Sequence, residues 1–176
     1  MSEDLQFPIG PFAWKGSATP ESREKAIDQI ATLPTRLRYA VETLSEEQLN
    51  TPYRPGGWTL QQVVHHIADS HMNGYIRFKL ALTEEWPTVK PYDQDGWSSL
   101  DEVSTSPVAI SLNLIDALHA RWANLLCSLK VEDFARGYVH PERNGKVSLD
   151  ETLAAYAWHG EHHLAHIKGL IRRQGW

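Results

Sequence analysis

Apolar residues recur at helical spacing in four long stretches of this chain. From Pro20 to Leu44, Ala26, Ile27, Ile30, Leu33, Leu37, Ala40, Val41 and Leu44 fall on one stripe, which predicts an amphipathic helix. Pro34 lies inside it and, lacking an N–H, predicts a kink or a division there. Ser45 reads as the N-cap of a short turn ending near Asn50, and TPYRPGG (51–57) as a loop. Thr59 with Gln62 makes a capping box that opens a second long helix, with Leu60, Val63, Val64, Ile67, His71, Tyr75, Phe78 and Leu82 along one face. The stretch from Pro87 to about Pro107 reads as loop, with Ser106 and Pro107 at the N-cap and first-turn positions of a third helix. Its apolar face is Ile110, Leu114, Leu118, Trp122, Leu125, Leu126 and Leu129. Farther on, Asn144-Gly145 between β-compatible runs predicts a small hairpin. Ser148 with Glu151, a second capping box, starts a last helix that runs to about Arg173.

Four long helices with enough loop to cross over them predict an all-α four-helix bundle with a crossover connection. A short N-terminal arm, residues 1–18, should lie on its surface, and the hairpin should precede the last helix. Spacing does not order the helices in space. No repeat, biased tract or linker divides the 176 residues, so 1–176 is expected to be a single domain.

Composition narrows the class. Hydrophobic residues are 41% and charged residues 22%, ordinary for a folded domain. Lys plus Arg number 17 against 22 Asp plus Glu, a net charge of −5 that argues against a nucleic-acid partner. The single cysteine, Cys127, excludes an internal disulfide, and its place among Leu125, Leu126 and Leu129 reads as inert packing. The start, MSEDLQFPIG, lacks the basic and apolar character of a signal peptide. No apolar run reaches the roughly 18 residues a membrane span needs. A cytoplasmic protein with no membrane partner is the expectation.

The 9 histidines change the picture most. In WHGEHHLAHI (158–167), His159 pairs with His163 and His162 with His166, each four apart on one helical face. Either pair can offer two imidazoles to one metal, as in H-E-x-x-H. Leu153, Ala157, Leu164 and Ile167 mark the buried face, with His163 roughly 80° and His159 roughly 120° from its centre. His166 lies roughly 140° away and His162 nearly opposite, a direction that predicts solvation. That favours His159 and His163. A third ligand should come from VVHHIADSH, where His71 is on the apolar face and His65 and His66 diverge to opposite sides. Periodicity does not choose between the last two.

Longer motifs then carry a resemblance. GGWT leads into HHIADSH and YIRFK; WHGEHHLAH and RRxGW lie near the C-terminus, and FPIG near the start. With these, from about Phe7 to Trp176, the chain resembles the DinB/YfiT-like four-helix metalloproteins, most closely the YfiT branch described as metal-dependent hydrolases. The resemblance implies three facial histidine ligands to one divalent metal per chain, Zn²⁺ or Ni²⁺. The family's first ligand precedes an apolar residue on the second helix, here His66, and its H-x-x-x-H pair maps onto His159 and His163. Where many relatives carry Gln, this chain has His166. Relatives are often dimeric, so a homodimer is expected.

Three functions follow from such a site. A metal on three imidazoles can activate water and polarise a substrate oxygen, which gives hydrolysis of a small substrate. It can hold a thiolate, which gives transfer of a low-molecular-weight thiol (bacillithiol-like) to an electrophile, an activity seen among similar proteins. Or it can be a non-catalytic metal-binding site, with His65 or His166 as fourth ligand. Glu161 points roughly 160° away from His159 and is a poor base. Asp69, three residues from His66, is the better candidate, as a group that orients a ligand histidine. Asn73 and Arg77 share the stripe of His66; Arg77 with Tyr75, Tyr92, Trp97, Trp122 and Tyr156 would line a pocket mouth and attract an anionic substrate.

Overall fold

The computed structural model describes residues 4–143 and 145–176. Its elements are α1 (Pro20–Val41), α2 (Glu46–Leu49), α3 (Leu60–Thr83), α4 (Gln94–Ser98), α5 (Asp101–Thr105), α6 (Val108–Ser128), β1 (Gly137–His140), β2 (Gly145–Ser148) and α7 (Leu149–Gln174). Three of the helices begin on a full capping box: Thr19 with Ser22, Ser45 with Gln48 and Thr59 with Gln62. Ser148 is the last residue of β2 and caps α7 by accepting the Glu151 N–H. β1 and β2 form the antiparallel hairpin; Asn144, on which its turn was placed, lies outside the described residues. No described helix is long and apolar enough to cross a membrane.

The four long helices form the bundle, in an order that spacing could not reveal. α1 packs mainly against α6 and α7, and α3 packs against the same two, so α1 and α3 stand diagonally. Both chain segments that join diagonal helices, 42–59 and 129–148, therefore cross an end of the bundle. One apolar cluster joins Ile30, Phe78, Trp122, Leu126 and Leu153, and a second joins Leu37, Val63, Ile67, Ile115 and Ile167. Along each helix the two clusters occupy opposite halves. α1 and α7 run in one direction, and α3 and α6 run in the other. Between the two clusters lies a stratum of histidines.

Several expectations need correction. α1 is one continuous helix through Pro34, because the Ile30 carbonyl that the missing N–H leaves free finds another donor, His119. The segment 87–107 contains the short helices α4 and α5, and Ser106 ends α5 while Pro107 is the N-cap of α6. The buried stripe of α6 is Leu112, Ile115, His119, Trp122 and Leu126; Ile110 and Leu114 are exposed, because α1 and α3 meet α6 on a rotated face. Cys127 is exposed beside that stripe, not packed within it.

Candidate metal centre

The site is built where α3 and α7 cross the polar stratum. His66 projects from α3, and His159 and His163 come from successive turns of α7. Their ligand nitrogens all lie within 4.8 Å of one another, and His66 Nε2 stands 3.1 Å from His159 Nε2. Two nitrogens that share one ion at about 2.1 Å each lie roughly 3.0–3.4 Å apart, so this pair suits a common metal. Burial pushes His66 down to about 4, and burial with mutual repulsion holds His159 and His163 well below the ordinary range. The three rings are therefore neutral near pH 7, the form a divalent ion requires.

A chain of hydrogen bonds fixes how His159 presents itself. Pro34 cannot bond back to the Ile30 carbonyl, so that oxygen accepts from His119 Nδ1 at 2.6 Å. A carbonyl only accepts, so the His119 hydrogen is on Nδ1, and Nε2 of the neutral ring must accept. It accepts from His71 Nδ1 at 2.9 Å, which leaves His71 Nε2 to accept from His159 Nδ1 at 3.1 Å. Burial keeps His71 and His119 uncharged. The outcome is that His159 carries its hydrogen on Nδ1 and turns a lone pair on Nε2 toward His66. Sequence reading missed His119, although it shares the α6 stripe of Ile115 and Trp122; the signal was there.

The other sequence candidates separate cleanly. His65 turns to the opposite side, with Nδ1 2.7 Å from Ser111 Oγ and Nε2 3.1 Å from the Ser106 carbonyl, so it cannot be a fourth ligand. His166 gives Nε2 to the Gln6 carbonyl at 3.1 Å and stacks on Tyr53. Its Nδ1 lies 3.4 Å from His163 Nδ1, so it adjoins the cluster of three without being part of it. His162, expected in solvent, is only 7% exposed: Trp158 stacks on it at 4.4 Å, and the Phe7 ring of the N-terminal arm lies tilted 5.9 Å from it. A helical wheel sees only the bundle core, and the arm makes this outer face a second interior. Glu161 is bound to Arg36 of α1. Asp69 makes no hydrogen bond to a cluster histidine among the described residues; burial beside Glu102 lifts its carboxyl to about 6. Asn73 bonds back to the Asp69 carbonyl at 2.9 Å.

Two clefts meet at His159. One, of about 370 Å³, runs from His159 past Tyr156, Arg77, Tyr92 and Tyr138 to His140. The other, of about 440 Å³, exposes His66, His163 and Trp58 and reaches Tyr53 and Arg54. Gln94, Trp158 and His159 border both. Of the expected pocket aromatics, Tyr92 and Tyr156 line the first cleft. Trp97 packs on Tyr92, Tyr75 packs on Trp122, and Trp122 is fully buried against His71. His140 was not anticipated, because the hairpin that carries it adjoins α3 only in the folded chain.

Fold and site together define a class: a helical bundle whose centre gathers three neutral imidazoles suited to one divalent ion. The chain belongs to the DinB superfamily, whose family description matches residues 29–167. It is 47% identical over 175 residues to YfiT of Bacillus subtilis (strain 168), covering 99% of this chain and 98% of that one. It is 51% identical over 173 residues to a protein of Bacillus cereus (strain B4264), covering 98% and 99% of the two chains. Both relatives carry the provisional name of metal-dependent hydrolase. The solved structure of the Bacillus subtilis protein, described as having an unusual four-helix bundle topology, superposes with a TM-score of 0.95 at 48% identity over 98% of each chain.

Proposed function

We propose that this protein is a metal-dependent hydrolase that holds one divalent ion, Zn²⁺ or Ni²⁺, on His66, His159 and His163. The observation that carries the reading is the convergence of three uncharged imidazoles at the junction of two clefts. Three protein ligands leave coordination positions for others, and a divalent ion so held supplies a Lewis acid and an activated water. His66, His159 and His163 bind, the His71–His119 pair orients His159, and the Trp58 ring, tilted at 4.6 Å from that of His66, packs beside it at the wall of the second cleft. A small substrate would enter the cleft beside His159.

Elemental analysis of untagged protein tests the site. About one metal per chain is expected, lost in His66→Ala, His159→Ala and His163→Ala and kept in His162→Ala. Metal content indifferent to all four substitutions would defeat the proposal. Turnover of activated esters or amides without added thiol would then support hydrolysis.

A second reading, transfer of a bacillithiol-like thiol to an electrophile, draws on a specific observation. Two clefts meet at His159, only one of them reaching His66 and His163 as well, which suits two reactants, and no described carboxylate is hydrogen-bonded to the cluster as a base. Strict dependence of turnover on added thiol would favour it. The homodimer expected from the resemblance belongs with these proposals, and light scattering of the purified protein tests it.

A further inference from the structure

Arg77 lies on α3, about three turns beyond His66, and is 8% exposed at the wall of the cleft that ends on His159. A buried guanidinium is costly unless an anion or several acceptors answer it. Among the described residues Arg77 forms no ion pair, whereas Arg23, Arg36 and Arg38 each hold a carboxylate. Its partners are few: Nη1 donates to Tyr156 Oη at a long 3.5 Å, and the Tyr138 ring lies 5.9 Å from its Cζ. Its side chain lines the cavity, and no further hydrogen bond of its donor fork is formed among the described residues.

The neighbouring polar groups have the same polarity. Tyr156 Oη already accepts from Arg77, so its own hydrogen remains to be donated. His140 Nδ1 accepts the Glu142 N–H at 3.3 Å, which places the ring hydrogen of the neutral imidazole on Nε2. Glu142 and Arg143 are both exposed at the rim and offset one another. The interior therefore presents one uncancelled positive charge and convergent donors, with His159 at its inner end.

We propose that this cleft binds the substrate by an oxyanion group, a carboxylate or its planar equivalent, clasped by Arg77 with Tyr156 and His140, so that the reacting bond lies toward His159. The assignment rests on the cluster being the reacting centre, but the anion site itself needs no metal. A planar carboxylate matches the guanidinium fork in a bidentate way that a neutral amide does not. At about 370 Å³ the cleft suits a small organic acid and not a polymer. Arg77 is in this view a specificity-determining residue.

Benzoate and benzamide, equal in shape and different in charge, test it by amide NMR titration of the full chain, metal-free and loaded with Zn²⁺. Benzoate should shift the signals of Arg77, His140 and Tyr156 in both forms, and benzamide should bind at least about tenfold more weakly. Arg77→Gln should weaken benzoate by about 10- to 100-fold, Arg77→Lys by less, and Arg143→Gln not at all. Equal binding of the two ligands by the unaltered protein, or benzoate binding unchanged in Arg77→Gln, overturns the proposal. Benzoate binding that requires Zn²⁺ and ignores Arg77 overturns it while leaving the metal site intact. Binding that depends on Arg77 in a protein that takes up no metal upholds it and removes the hydrolase reading instead.

Discussion

At the scale of single residues, Pro34 has the least expected part. A proline inside a helix ordinarily costs about 3 kcal/mol or more, since it removes one bond and crowds the carbonyl four residues back. Here the freed Ile30 carbonyl anchors His119, and through His71 it sets the hydrogen of His159. In Pro34→Ala the new N–H competes for that carbonyl. Divalent-ion affinity should then fall by up to about tenfold while resistance to urea holds or rises. A competition titration with a chromophoric chelator reads the first. Long-range ¹H–¹⁵N spectra of the metal-free protein read the tautomers, with His71, His119 and His159 all expected as Nδ1–H. His71→Phe, which deprives His159 Nδ1 of its acceptor, should cost about 10- to 100-fold in affinity. Unchanged affinity and tautomers in both variants would reduce the relay to ordinary packing.

At the scale of elements, spacing between helices decides where the imidazoles meet. Gly74 lets α3 lie close to its neighbours: a Cβ there would stand 2.6 Å from Tyr156 Cζ and 2.8 Å from Trp122 Cη2. Those are rigid rings that cannot yield as a long aliphatic chain would. Gly74→Ala should therefore destabilise by about 1–3 kcal/mol in urea titration, despite the higher helix propensity of alanine. The N-terminal arm is the other deciding element. Trp158 Nε1 donates to the Gly10 carbonyl at 3.2 Å, and Phe7 lies beside His162, whose burial holds it near 4. Deleting residues 1–12 should raise the pKa of His162 toward its ordinary 6.5, as followed by NMR titration of its ring protons. A pKa unmoved by the deletion would mean that α7 and Trp158 alone enclose the ring.

At the scale of the whole molecule, the histidine stratum makes stability depend on acid. His66, His71, His119, His159 and His163 are all held below the ordinary 6.5, with burial the main cause. Once unfolded, the same rings titrate near their ordinary value, so between about pH 6.5 and 4 the unfolded chain binds more protons than the folded one. Metal-free protein should therefore lose stability as pH falls from 7 to 5, with several protons taken up per molecule unfolded, as read from urea midpoints across that range. A bound divalent ion should oppose the loss, because it stabilises the neutral rings in the native state. Midpoints independent of pH between 7 and 5 would contradict the burial of these imidazoles.

The sequence by itself determined the four long helices, the caps of two of them at Thr59 and Ser148, the hairpin and the His159–His163 pair, because caps and periodicities are written within a few residues. It placed His71 on an apolar face for the same reason. Only the tertiary structure decided that the arm buries His162 and that His119 completes a relay begun at Pro34, and it turned toward α7 the His66 that the resemblance implied and periodicity alone left open. It also brought Arg77 and His140 to one cleft from α3 and the hairpin. Helical spacing states how a side chain is directed relative to its own helix. What stands opposite depends on contacts between residues as much as 160 positions apart, such as Gln6 with His166, which no local pattern encodes.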